Sequence, residues 1–288
     1  MRKNRKSKSI FHASIKTNRS DDGTTSKIII CTIGALAGLA ALIGLFMAFK
    51  AMKATWLKQS IITDASAQVT IHSAPHIPKE AIQLAFGLKE GENLAEKDFD
   101  HLRSETMAKY PVIRNIIVER HLPDKVEIFV EEREPVARLE IKGERVSTGL
   151  VVDSEGVVFD RRKGVELLPS ILEKKGSSTT KGQKLNGTAR AALELVLFGR
   201  EDDFENIRIN TIDATKNDYL VGAMSNSQLV KIAWEGMLEK PTNESRKILK
   251  TQLLQLRSAV ESKVVTRQGL TWNVLEQGIV TIDTKEPQ

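Results

Sequence analysis

Ile28–Phe49 is a run of 22 residues without a charged side chain, and it leaves this part of the chain few options. A helix of about 20 apolar residues crosses the hydrocarbon core of a bilayer, and a helix satisfies its own backbone polar groups there. A cleaved signal peptide is the rival, with an apolar core of about 7–15 residues behind a short basic leader. Both lengths are exceeded here, so the run is read as an uncleaved single-pass anchor. Arg2, Lys3, Arg5, Lys6, Lys8, Lys16, Arg19 and Lys27 precede it, against Asp21 and Asp22. They outnumber Lys50, Lys53 and Lys58 on the far side, which places the N-terminus in the cytoplasm by the positive-inside rule.

The same tail accounts for the charge of the whole chain. There are 43 Lys and Arg against 37 Asp and Glu, a net charge of +6, and residues 1–27 carry all of that surplus. The basic balance therefore points to lipid headgroups and topology, not to nucleic acid. Gly34 and Gly38 form a small-xxx-small pattern of the kind that lets membrane helices approach one another. Cys31, the sole cysteine, lies inside the run, so the part beyond the membrane is expected to have no disulfide and no cysteine-based metal site.

Beyond the anchor, Tyr110–Ala137 is the most patterned stretch. Ile116, Val118 and Arg120 share one face of an alternating segment, and Val126, Ile128 and Val130 share one face of the next. His121-Leu122-Pro123-Asp124 supplies the turn between them. Glu127 and Glu131 fall on the other face, as in a sheet wetted on one side. Upstream, Val69–Ile71 reads as a strand. Pro78 reads as the first position of a short helix that Gly87 closes, and a second helix runs from about Glu96 to Lys109. The order strand–helix–helix–strand–strand is a compact α+β unit.

After Pro135 come short strands at Ala137–Ile141, Gly149–Val152, Val157–Asp160, Ile207–Ile212, Tyr219–Met224 and Leu229–Ala233. Helices are expected at Gly187–Phe198 and at 244–262, and a strand-rich segment at Thr271–Asp283 with Gly278 at its bend. The fold class is thus α+β: a single N-terminal transmembrane helix, a β-α-α-β-β domain, and a mostly antiparallel β domain with covering helices. The expected boundaries are 1–27 for a basic cytoplasmic tail, 28–49 for the transmembrane helix, 50–66 for a juxtamembrane spacer, 67–135 for the first domain and 136–285 for the second.

Signals for catalysis fail on inspection. His72 and His76 flank Pro75, so no HExxH helix forms there. His12 lies in the tail, His101 on a polar helix face and His121 in a turn. Ser178-Thr179-Thr180-Lys181 matches S-x-x-K, but the S-D-N and K-T-G elements that this chemistry needs are missing from the sequence. The overlapping Gly176–Gly182 stretch has lysine and glycine in the wrong order for a phosphate loop. No catalytic residue, metal ligand or cofactor site is expected.

Several motifs lie along this layout: Gly91-Glu92-Asn93-Leu94, Tyr110-Pro111-Val112, Val118-Glu119-Arg120, Leu122-Pro123, Val126–Val130 and Glu132-Arg133-Glu134-Pro135-Val136-Ala137. Val151-Val152-Asp153-Ser154-Glu155-Gly156 and Leu168-Pro169 follow in the second domain. With these motifs the chain resembles the FtsQ/DivIB family of bacterial cell-division proteins. Two places depart from the family pattern. Ser73-Ala74-Pro75 stands where a glycine is usual, and Trp272-Asn273-Val274-Leu275 stands where Asp-Leu-Arg-Tyr is common.

The resemblance implies that the first domain is a POTRA domain. It further implies a non-catalytic, bitopic scaffold in the inner (plasma) membrane at the division septum, with its C-terminal part periplasmic or extracytoplasmic. Such a scaffold links early and late division proteins. FtsB- and FtsL-like proteins would be its β-domain partners and an FtsK-like protein an upstream one, with the bilayer as a further partner but neither nucleic acid nor a small-molecule substrate. The alternative is a POTRA-type accessory of an export or outer-membrane assembly system. A last strand at a sheet edge offers unpaired N–H and C=O groups to a partner strand. Trp272, Val274, Leu275, Ile279, Val280 and Ile282 are the expected partner-binding residues, as pockets or anchors of that edge.

Overall fold

The computed structural model describes residues 22–121, 123–177, 179–262, 270–274 and 280–283, with the backbone path alone for 22–35, 280 and 283. Most of the basic tail, Leu122, Ser178, Leu275 and Ile279 therefore lie outside the described residues. Two compact units divide the chain after Ser60. The first holds helix α1 (Asp22–Gln59), of which Leu36–Gln59 is long and apolar enough to cross a membrane. Its described apolar side chains, from Leu36 to Met52, are exposed, as lipid-facing residues are. Lys50 lays its Nζ 4.9 Å from the Phe46 ring centroid, near the end of the apolar run. The helix continues ten residues past the expected end of the anchor, so most of the spacer is helical.

The second unit begins with a short helix, α2 (Ala65–Gln68), capped by the Asp64 carboxylate. Then follow β1 (Val69–His72), α3 (Lys79–Ala85), α4 (Phe99–Lys109), β2 (Ile113–His121) and β3 (Lys125–Glu132). The sheet order is β1-β3-β2, with β1 parallel and β2 antiparallel to β3. The hairpin register pairs Ile116 with Val130, Val118 with Ile128 and Arg120 with Val126, so the two rows read from the sequence do share one face. Ile71, Ile82, Phe86, Phe99, Ile113, Ile116, Val126 and Ile128 fill the core beneath it. Arg120, the one charge in that row, sets its guanidinium 4.3 Å from the Phe99 ring centroid, a cation–π contact that keeps its charge near water.

Local chemistry moves two boundaries. Pro78 is the N-cap of α3, not its first helical residue. Helix α4 starts at Phe99 because the Asp98 carboxylate accepts the His101 N–H at 3.0 Å, which fixes the N-terminus three residues beyond Glu96. Gly91 adopts φ +88°, a region that disfavours side chains. There its N–H reaches the Ile62 carbonyl at 2.8 Å and starts the Gly91–Leu94 motif.

Among the described residues the remaining strands form one nine-stranded sheet: β4 (Pro135–Ile141), β5 (Leu150–Asp153), β6 (Val158–Asp160), β7 (Ser170–Glu173), β8 (Ile209–Asp213), β9 (Leu220–Met224), β10 (Leu229–Ile232), β11 (Thr271–Val274) and β12 (Val280–Asp283). Their order is β12-β11-β10-β9-β8-β7-β4-β5-β6. Five of the eight pairings are antiparallel; β4–β7, β7–β8 and β10–β11 are parallel. Parallel neighbours need a long crossover; the two expected helices provide it for β7–β8 and β10–β11, while β5 and β6 lie between β4 and β7 in the chain. Helix α5 (Gly187–Phe198) joins β7 to β8, and α6 (Asn243–Ser262) joins β10 to β11. Leu249, Leu253 and Leu256 turn one face of α6 into the core, while Thr242 and Ser245 exchange hydroxyl and backbone bonds at its start.

Strand β7 is absent from the sequence-based expectation. Its sequence Ser-Ile-Leu-Glu shows no apolar alternation, because Ser170 and Glu173 are themselves buried. Arg138 Nη2 donates to the Ser170 hydroxyl at 2.6 Å, and the Thr179 hydroxyl donates to Glu173 at 2.7 Å. In the centre of the sheet, a Cβ added to Gly222 would lie 2.9 Å from methyl groups of both Ile209 and Val230. Gly222→Ala should therefore destabilise the domain by about 1–3 kcal/mol through overpacking. A lowered denaturant midpoint at unchanged slope is the expected reading.

Candidate functional site

The segment Thr271–Asp283 contains two strands with different fates. Strand β11 lies inside the sheet between β10 and β12, while β12 is the outermost strand. The register pairs Trp272 with Ile282, Asn273 with Thr281 and Val274 with Val280. Trp272 and Val274 are 1% and 0% exposed and belong to the domain core. The Trp272 indole N–H donates to buried Gln228 Oε1 at 2.8 Å. Two of the six expected anchor side chains thus point inward, since a tryptophan with a buried acceptor fits the domain's own interior better than solvent.

Ile282 is half-buried against the same core, and Thr281 beside it is exposed. Val280 is placed by its backbone only. The outward-facing resource of β12 is therefore its row of backbone N–H and C=O groups, backed by α6, which packs against both β11 and β12. Among the described residues nothing pairs with its outer side.

The two ends of the sheet differ. At the other end, the Val158 N–H donates to the Gln183 carbonyl at 2.9 Å, and the Gly182 N–H donates to the Val158 carbonyl at 2.8 Å. Val157 and Lys184 form a further antiparallel bridge. Segment 182–184 thereby caps the β6 edge, the usual protection against unwanted strand pairing. Just before this segment, Lys181 pairs with Asp160 of β6 at 2.6 Å.

A second constellation joins the two domains of the unit, and it gathers motif blocks far apart in sequence. Arg133 Nη1 reaches Asp153 Oδ2 at 2.6 Å and Glu155 at 3.4 Å, while its Nε donates to the Pro111 carbonyl at 3.1 Å. The side chains of Arg133 and Asp153 are only 11% and 5% exposed. Asp153 Oδ1 accepts the Glu155 and Val157 N–H groups, which shapes the turn before β6.

Glu132 takes Arg162 at 2.6 Å and His76 at 3.1 Å, and Arg114 spans Glu131 and Glu155. Desolvation pushes the Glu155 carboxyl up, but Arg114 and Arg133 outweigh it and hold the group below its ordinary value of 4.5. Val112 packs on Val151, Phe159 and Val165 alongside. Tyr110–Val112, Glu132–Arg133 and Val151–Gly156 were visible in the sequence as separate motifs. Their meeting at one charged junction was not.

The family model for the POTRA domain, FtsQ-type, matches residues 65–133, the span from α2 to the end of β3. The chain is also similar to two curated proteins, each a cell division protein FtsQ. That of Neisseria gonorrhoeae (strain ATCC 700825 / FA 1090) is 27% identical, over 54% of this chain and 78% of the relative. That of Neisseria meningitidis serogroup B (strain ATCC BAA-335 / MC58) is 26% identical, over 66% of this chain and 97% of the relative. With one candidate membrane helix ahead of an FtsQ-type POTRA domain and a large, mostly antiparallel sheet, the chain is similar in sequence and layout to the FtsQ cell-division proteins.

Proposed function

We propose that this chain is a non-catalytic, single-pass scaffold of the bacterial division machinery that takes up an extended partner segment at β12. The observation that carries the reading is the asymmetry of the nine-stranded sheet, closed at β6 by segment 182–184 and, among the described residues, open at β12. Strand addition draws affinity from main-chain hydrogen bonds, so it suits an edge whose large side chains are turned inward. FtsB- and FtsL-like membrane proteins are the proposed occupants, and the POTRA domain is the proposed contact for an FtsK-like upstream protein. The basic N-terminal tail supports a cytoplasmic N-terminus and an extracytoplasmic remainder, with the protein at the septum. Residues 67–135 and 136–285 are the proposed working domains.

A proline scan through 280–283 tests the edge. Backbone N–H groups alternate between β11 and the open side, so proline at outward-facing positions removes a donor from a partner without breaking the hairpin. Such variants should lose at least tenfold in capture of the small membrane partners from dividing cells, with unfolding curves unchanged. Full capture by every stably folded proline variant would remove β12 as the contact.

A further inference from the structure

The wet face of the POTRA sheet brings imidazole and carboxylate groups from all three strands together. Glu119 of β2 and Glu127 of β3 are directly opposed in the register, and like charges in that position repel. His121, two residues along β2, puts Nε2 3.6 Å from Glu127 Oε1, and His72 of β1 puts Nε2 3.9 Å from Glu127 Oε2. One ligand atom each from Glu119, His121 and Glu127 lies within 4.8 Å of the others. The His72 ring stacks on Phe129 at a centroid distance of 4.5 Å with planes 6° apart, so it is held in place while its edge faces the cluster. Both histidines have about half of their side-chain surface open to solvent.

We propose that His72, Glu119, His121 and Glu127 form a binding site for a divalent transition-metal ion of the zinc type. Two imidazoles with carboxylates are a nitrogen–oxygen donor set that such ions favour over calcium or magnesium. Ligand atoms around a tetrahedral ion with bonds of about 2.0–2.1 Å sit about 3.3 Å apart. Glu119, His121 and Glu127 need only side-chain rotations to reach that spacing, whereas His72, which meets Glu127 through the other carboxylate oxygen, must swing toward the three to complete the set. A dication would also relieve the Glu119–Glu127 opposition. Lys125, opposite His121 in the register, is exposed and can turn its ammonium to water. Such an ion would tie β1 to β2 across β3 without touching the core.

The test uses the full chain in detergent micelles, with Zn2+ titrated calorimetrically and Co2+ followed by its visible absorption. One equivalent of Zn2+ should bind saturably, and Co2+ should show the intense band of a four-coordinate site. His121→Ala and Glu127→Gln should each weaken binding at least tenfold, with Glu119→Gln as a second carboxylate variant. His101→Ala, on α4, should leave it unchanged. Metal-free unfolding curves identify the variants that fold as the parent does. Absence of saturable binding would overturn the site, and so would a folded His72→Ala/His121→Ala double variant that binds as tightly as the parent.

Discussion

Replacing Arg133 by alanine should lower the unfolding free energy of the part beyond the membrane helix by about 3–5 kcal/mol. That is the range for stripping one partner from a buried ion pair. The loss comes chiefly from Asp153, whose side chain is 5% exposed in the intact pair and would be left without its nearest cation. The Glu155 and Val157 N–H groups remain on Oδ1 and keep the effect toward the lower end. Arg133→Lys should recover little of it. A lysine presents one point of charge, whereas the guanidinium serves Pro111, Asp153 and Glu155 at once. Arg114, half-exposed between Glu131 and Glu155, is the contrast, and its alanine variant should leave the unfolding curve nearly unmoved because water screens the pair. Urea titrations of the three variants check this, and equal losses at 114 and 133 would contradict the buried junction.

Trp272→Ala should cost a similar about 3–5 kcal/mol for a different reason. It opens a cavity in the β-domain core and removes the indole donor from Gln228 Oε1, which keeps Asn226 Nδ2. Trp272→Phe preserves much of the volume and should lose about 1–3 kcal/mol for the missing buried hydrogen bond. Because the side chain is inside the domain, the phenylalanine variant should capture partners as well as the parent does. Loss of capture in a stable Trp272→Phe protein would return this residue to the binding surface.

The two residues also show where sequence reading stops. Period-2 patterning placed the β2–β3 hairpin because each side chain there answers to a single sheet face with water on the other side. It also marked Thr271–Asp283 as strands but could not say which alternate set faced the core, since both faces of Trp-Asn-Val carry side chains that a strand tolerates. Only the register with β10 and the position of Gln228 decide that Trp272 turns inward. Strand β7 escaped because its buried serine and glutamate are paid for by Arg138 and Thr179, partners distant in sequence or hidden in a loop.

The junction was legible as motifs and illegible as a contact, for Arg133, Pro111 and Asp153 meet only after both domains have formed. The same holds for His72 and His121. Taken singly, one ends a strand and the other enters a turn. Their common neighbour, Glu127, becomes apparent only when β3 inserts between β1 and β2.

A sheet sealed at one end by its own chain and, among the described residues, unsealed at the other has a valence of one. On the proposed strand addition, complexes built at this edge should count one extended segment per chain. A second copy of the chain approaching β12 edge-on would have to compete for that same vacancy. Self-association through this strand and partner capture are then mutually exclusive, and the more partner there is, the fewer such paired copies can form.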